Sequence, residues 1–132
     1  SSKNMLHKGS DIAILSFGTI AENVETMFND PSISKLCSHY AMEFVWPLDE
    51  DRLHNICNSY KAIITVEDGV IKGGAGSAVL EFMAKHHYTL PVEQLGVPHE
   101  FIDHGTIKEL QQSIGLDSDS IKKKIEKLLH KL

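Results

Sequence analysis

Apolar positions along this chain fall into two rhythms, short continuous runs and runs spaced at helical intervals, and the two alternate. Ile12-Ala13-Ile14-Leu15-Ser16-Phe17 is nearly unbroken and predicts a strand buried on both faces. Gly18 ends it. Thr19 and Glu22 stand at capping-box spacing and predict a helix start, with Ile20, Val24, Met27 and Phe28 on one face. Asn29-Asp30-Pro31-Ser32 breaks that pattern, and His39 to Val45 reads as a second strand. Pro47-Leu48-Asp49 closes it, and Asp49 is placed to cap a helix burying Leu53, Ile56 and Cys57. Ala62 to Val66 is the third strand. It runs through Glu67-Asp68-Gly69 into the glycine-rich turn Gly73-Gly74-Ala75-Gly76-Ser77, and an apolar-periodic helix follows from Ala78 to Ala84. Pro91 to Leu95 is a fourth strand, ended by Gly96 and Pro98. Gly105-Thr106 opens a further helix, with Glu109 repeating the capping spacing and Gly115 stopping it. The last helix, Ser120 to Leu132, carries Ile121, Ile125, Leu128, Leu129 and Leu132 on one stripe.

Strands alternating with helices predict an α/β fold. The expectation is a three-layer α/β/α arrangement: a mostly parallel open sheet of about five strands with helices on both faces. A chain of 132 residues supports one such domain. Residues 1–9 lack periodicity and read as an expression scar or linker, leaving 10–132 as the domain, cut from something longer.

Composition narrows the function. The net charge of −5 argues against nucleic acid. Lys122, Lys123, Lys124 and Lys127 are interrupted by Ile121, Ile125, Leu128 and Leu129, so they form the solvated face of an amphipathic helix. No apolar stretch reaches the roughly 18 residues of a membrane span, and no secretory leader is visible. Cys37 and Cys57 lack metal-like spacing and fit a reduced, cytoplasmic setting.

The glycine-rich turn is the best candidate for chemistry. Glycine allows positive φ and close backbone approach, and a helix start offers unpaired N–H groups. The turn is not a P-loop, because Lys72 precedes Gly73 instead of following the last glycine. It is not a dinucleotide fingerprint either, because Gly74-Ala75-Gly76 lacks the third glycine. Tight helix–sheet packing is preferred, with an anion at the helix start as the alternative. Glu67 and Asp68 end a strand where α/β proteins place sites, but neighbours on a strand point to opposite faces. One capping the turn and one solvated is the simpler reading. His86 and His87 are adjacent on a helix and splay, so no metal site is expected. Cys37 and His39 share a strand face without a second pair, and Cys57 lies on an apolar stripe. His104 belongs to a loop that meets a ligand, a neighbouring domain or only itself. No catalytic, cofactor-binding or metal residues emerge.

The ordered set Ile14-Leu15-Ser16-Phe17-Gly18-Thr19, Phe44-Val45-Trp46-Pro47-Leu48-Asp49-Glu50, Thr65-Val66-Glu67-Asp68-Gly69, Gly73-Gly74-Ala75-Gly76-Ser77-Ala78-Val79, Leu95-Gly96-Val97-Pro98 and Phe101-Ile102-Asp103-His104-Gly105-Thr106 resembles the C-terminal domain of transketolase-like enzymes, and within them the 1-deoxy-D-xylulose-5-phosphate synthases. The resemblance covers about residues 11 to 129. It implies a parent enzyme that condenses pyruvate with glyceraldehyde 3-phosphate, releasing CO2, on the route to isoprenoid and terpenoid precursors. Thiamine diphosphate and Mg2+ would be held by the preceding domains, with no cofactor in this segment. This segment would support the fold and a homodimer without catalytic side chains. Its partners would be those domains and the second subunit, with no nucleic acid or membrane. Ala41, Glu43 and Trp46 depart from the family pattern of Asp, Arg and Lys, so an interdomain ion pair made there in relatives is absent or rebuilt. Glu67, Asp68, Gly73, Gly74, Gly76, Trp46 and His104 are the structural or interdomain candidates, and Trp46 is expected on an exposed apolar face. The alternatives are a free-standing or paralogous interaction domain of the same fold, or the C-terminal domain of another transketolase-like or 2-oxo acid dehydrogenase enzyme.

Overall fold

A computed structural model of the chain describes residues 4–18, 20–43, 48–68, 74–97 and 118–131. Its elements run β1 (Met5–His7), β2 (Ile12–Phe17), α1 (Ala21–Thr26), a 3-10 turn (Met27–Asn29), α2 (Pro31–Leu36), β3 (Cys37–Met42), α3 (Glu50–Ser59), β4 (Ala62–Asp68), α4 (Ala75–Lys85), β5 (Val92–Val97) and α5 (Ser118–His130). The sheet has five strands in the order β1-β3-β2-β4-β5. β2 is central and parallel to both neighbours, pairing Ile12 with Cys37 on one side and with Ala62 on the other. β5 is parallel to β4, and only β1 runs antiparallel, on the outer side of β3.

The period-2 alternation of the strands divides the core. Ile12, Ile14, Ile64 and Val66 face one layer, against Val24, Met27, Ile33, Ile125 and Leu128 of α1, α2 and α5 and the turn between them. Ala13, Leu15, Phe17 and Ile63 face the other, against Leu53, Ile56, Val79 and Phe82 of α3 and α4. Every residue of β2 is buried, as its unbroken apolar run predicts. Fully burying a side chain such as Ile14 or Phe17 contributes about 1.5–3 kcal/mol, so this strand anchors both layers. The α/β/α architecture is the one the alternation of patterns predicts.

The boundaries differ from expectation in several places, each with a local cause. Residues 29–32 end one helix but also start another. Asp30 caps α2 by accepting from the Ser32 N–H at 3.0 Å, and Pro31 occupies the first turn, where its missing N–H costs nothing. β3 therefore begins at Cys37, directly after α2, instead of at His39, and ends at Met42. β5 continues through Gly96, which pairs with Glu67. The first nine residues, expected as scar or linker, include β1 and a glycine held against the sheet. Gly9 exchanges hydrogen bonds with Ser38 Oγ at 2.9 and 3.2 Å, and a Cβ there would lie 2.3 Å from the Cys37 carbonyl oxygen. The folded unit thus takes in residues ahead of position 10. Asp49 caps α3, accepting from the Arg52 N–H at 3.0 Å. Ile20 occupies the N-cap of α1 without a side-chain bond. Thr19, Trp46 and the helix expected from Gly105 and Thr106 lie outside the described residues.

α5 is fixed to the first layer by more than its apolar stripe. Lys122 Nζ meets Asp30 Oδ2 at 2.5 Å, joining α5 to the cap of α2. This contact, followed by the Ser32 donors, holds the Asp30 carboxyl down at about 2. Lys124 approaches Glu93 of β5 at 3.8 Å.

Candidate functional site at the carboxyl edge of the sheet

Parallel strands deliver Phe17, Asp68 and Val97 to one edge, and α4 starts there. The start of α4 is built from glycines. Gly74 is its N-cap, at φ +67°, and has no side chain with which to cap. Glu67, near the end of β4, supplies the cap instead. Its Oε2 accepts from the Ala75 N–H at 2.6 Å and lies 3.4 Å from the Gly76 N–H. The half-buried carboxylate sits at the positive end of the helix dipole, where an anion is favoured. The place a phosphate would take at this helix start is filled by the chain itself.

Gly76 is held to its size by its neighbours. A Cβ there would stand 2.7 Å from Gln94 Oε1 and 2.8 Å from Thr65 Oγ1, so the first turn of α4 lies directly on β4 and β5. Thr65 Oγ1 is buried without a hydrogen-bond partner. Asp68 forms the next rung of the ladder, opposite Val97. Its side chain, with Gly73, Trp46 and His104, lies outside the described residues, and so does any contact between His104 and Glu67.

A second constellation is legible only in the fold. Ser16 Oγ lies 2.7 Å from His39 Nε2, and His39 Nδ1 lies 2.7 Å from Glu25 Oε2. With Glu25 ionised, Nδ1 carries the proton and Nε2 accepts from the Ser16 hydroxyl. This is the connectivity of a serine–histidine–acid relay. Its position argues against acyl transfer, however. Ser16 is 1% exposed and His39 0%, beneath Phe28, which stacks on the imidazole at 5.6 Å. Burial pushes the His39 pKa below the usual value, and Glu25 opposes that shift only in part. The relay satisfies polar groups inside the first core layer. Sequence reading paired His39 with Cys37, its neighbour on the strand face, and missed Glu25 and Ser16, which come from other elements. Cys37 is itself inert, its thiol pushed up to about 12 by burial and then by the Asp11 charge. Burial also raises the Cys57 thiol.

Arg52 of α3 is buried against the Tyr40 ring, 5.4 Å from its centroid, with Asp49 at 3.8 Å. Tyr40 and Tyr60 share a hydroxyl contact of 2.9 Å, and Tyr60 donates to Ser38 Oγ at 2.6 Å. These contacts tie α3 to β3 and, through Ser38, to Gly9. A third cluster, Glu50, His54 and His86, lies between α3 and the end of α4. Adjacency ruled out His86 with His87. The signal available in the sequence was instead the four-residue step from Glu50 to His54, which puts both on one helix face.

The family described as "Transketolase, C-terminal domain" matches residues 2–121. The 1-deoxy-D-xylulose-5-phosphate synthase of Parabacteroides distasonis is 50% identical over 125 residues, 92% of this chain and 20% of that protein. The same enzyme of Bacteroides thetaiotaomicron is 43% identical over 124 residues, 92% of this chain and 19% of that protein. The chain thus spans about a fifth of the length of these relatives. Among solved structures, a split-gene transketolase described as an inactive β4 tetramer superposes with a TM-score of 0.70. It is 25% identical, and the match covers 96% of this chain and 41% of that one. No helix among the described residues is long and apolar enough to cross a membrane.

Proposed function

Because the chain belongs to the transketolase C-terminal-domain family, we propose that it is the C-terminal, non-catalytic domain of a thiamine-diphosphate-dependent 1-deoxy-D-xylulose-5-phosphate synthase. The observation that carries this reading is the 50% identity with the Parabacteroides distasonis synthase over 92% of the chain. The parent enzyme condenses pyruvate with glyceraldehyde 3-phosphate and releases CO2, in the cytoplasm, toward isoprenoid precursors. Thiamine diphosphate and Mg2+ belong to its preceding domains. Among the described residues, the glycine-rich helix start does not fit a diphosphate: it is filled by the Glu67 carboxylate, which repels an incoming phosphate. The domain's part is to support the fold and the homodimer. The face we assign to contact with the preceding domains is the carboxyl edge, where β4 ends in Glu67 and Asp68.

Two measurements test this. Calorimetric titration of the chain with thiamine diphosphate and Mg2+ is expected to give no heat of binding, and micromolar affinity would overturn the supporting role. Replacing the matching segment of the Parabacteroides distasonis synthase with this chain is expected to give a dimer that forms 1-deoxy-D-xylulose 5-phosphate. A folded, dimeric chimera without that activity would count against the assignment.

A further inference from the structure

We propose that Glu50, His54 and His86 form a site for one divalent cation of the zinc class, held between α3 and the carboxyl end of α4. Each of the three offers a donor atom within 4.8 Å of the other two. Around a tetrahedral ion bound at about 2.0–2.2 Å, donors stand roughly 3.3 Å apart, so a small closing movement completes the set. Glu50 is the exposed member and can supply that movement.

Two features aim the histidines at such an ion. The His54 ring is already oriented: its Nδ1 lies 2.6 Å from the Tyr88 hydroxyl, which also accepts from Asn58 Nδ2 at 3.3 Å. With Nδ1–H donating to the Tyr88 hydroxyl, Nε2 is left to ligate, the arrangement usual for metal-binding histidine. His86 Nε2 is shielded from solvent and has no hydrogen-bond partner. A buried ring nitrogen without a partner is costly, and a metal ion would satisfy it. The two rings approach to 4.5 Å between centroids.

The surroundings suit a cation. His86 is the C-cap of α4, at the negative end of its dipole. Glu50 also lines a groove with Leu48, Leu53, Phe82 and Lys85, which gives an ion a route from solvent. Two imidazoles and one carboxylate are a borderline-soft donor set that suits Zn2+ and excludes Mg2+ and Ca2+, which take oxygen ligands. Three protein ligands leave a fourth position for water. The ion would brace α3 against the end of α4, independently of any thiamine chemistry.

The test is titration of the metal-free 132-residue chain with Zn2+ by calorimetry, and with Co2+ by visible absorption. The expected result is one ion per chain, with the intense d–d bands of tetrahedral Co2+ and a rise in Tm with Zn2+ by mass action. His54→Ala and His86→Ala abolish the bands. Glu50→Gln, at an exposed position that does not threaten folding, weakens binding by about tenfold or more. His130→Ala, exposed on α5, leaves binding unchanged. Circular dichroism establishes that each variant is folded. Absent tetrahedral bands, or Zn2+ affinity unchanged in Glu50→Gln and in a folded His86→Ala, would overturn the site.

Discussion

The Glu67 carboxylate and the Ala75 backbone N–H lie 2.6 Å apart, so the end of β4 caps the start of α4 from eight residues upstream. The N-cap residue itself, Gly74, has no side chain to offer, and the strand makes up the deficit. Glu67→Ala leaves the first N–H groups of α4 without an acceptor and is expected to cost about 0.5–2 kcal/mol. Glu67→Gln keeps an acceptor oxygen but loses the charge at the helix dipole, for a smaller loss of about 0.3–1 kcal/mol. Urea denaturation of the two variants checks both the direction and the order. Equal stability of Glu67→Ala and the parent chain would remove the cap from the account.

The two glycines beside that cap fail differently when substituted. Gly76→Ala drives a Cβ to 2.7 Å from Gln94 Oε1 and 2.8 Å from Thr65 Oγ1, which is overpacking, with an expected cost of about 1–3 kcal/mol. Gly74→Ala meets only Ser77 Oγ at 3.1 Å, but the backbone there is left-handed, so about 1–2 kcal/mol is lost to strain. A double substitution Gly76→Ala with Gln94→Ala should recover part of the first loss and none of the second. Thermal melts of the single and double variants separate the two causes.

His39 makes folding stability depend on pH. Its pKa is lowered in the folded state, chiefly by burial. The unfolded chain therefore takes up a proton at this residue near 6.5 while the folded chain does not. The contribution is complete above that pH and falls as acidification proceeds below it, toward the folded-state value. In His39→Gln the slope of stability against pH should flatten between neutrality and pH 5, measured by urea unfolding across that range. An unchanged slope would mean that His39 titrates alike in both states.

His87 holds a position that suits glycine. Its φ is +61°, and it follows the C-cap of α4, with its N–H reaching the Ala84 carbonyl at 3.3 Å and the Tyr88 N–H reaching Met83 at 2.9 Å. This pair of bonds is a Schellman ending, whose left-handed residue is usually glycine. His87→Gly is expected to stabilise the chain by about 1 kcal/mol, read as a rise in Tm, without altering the fold.

What sequence pattern could reveal was the part that depends on neighbours along the chain. The burial of β2, the Asp49 cap and the apolar faces of α3 and α5 follow from spacing alone. The short helix after Pro31 was hidden because Asp30 and Pro31 end one helix and begin the next with the same residues. Strand β1 was hidden because three residues carry no period. The groups brought together in space were the least legible. Ser16, Glu25 and His39 come from three elements, and His54 reaches His86 across two helices. A strand's ends and a helix's face can be read from one stretch of chain, but a hydrogen bond between distant elements cannot.

The strand order has a consequence for how this domain comes into being. None of the described strands is joined to its sheet neighbour by a hairpin: β2 meets β3 across 25 positions (Ile12 to Cys37), and its pairing with β4 starts farther along the chain still, at Ala62. Local zipping therefore cannot build the sheet. Each ladder must close a long loop before it gains anything, the kind of topology that folds slowly for its size. The strand Ile12–Phe17, apolar but for Ser16, is synthesised some fifty residues ahead of β4, its second partner. During that interval a strand that ends fully buried is still unpartnered on one side, so the centre of the finished sheet is a point of aggregation risk while the domain is nascent.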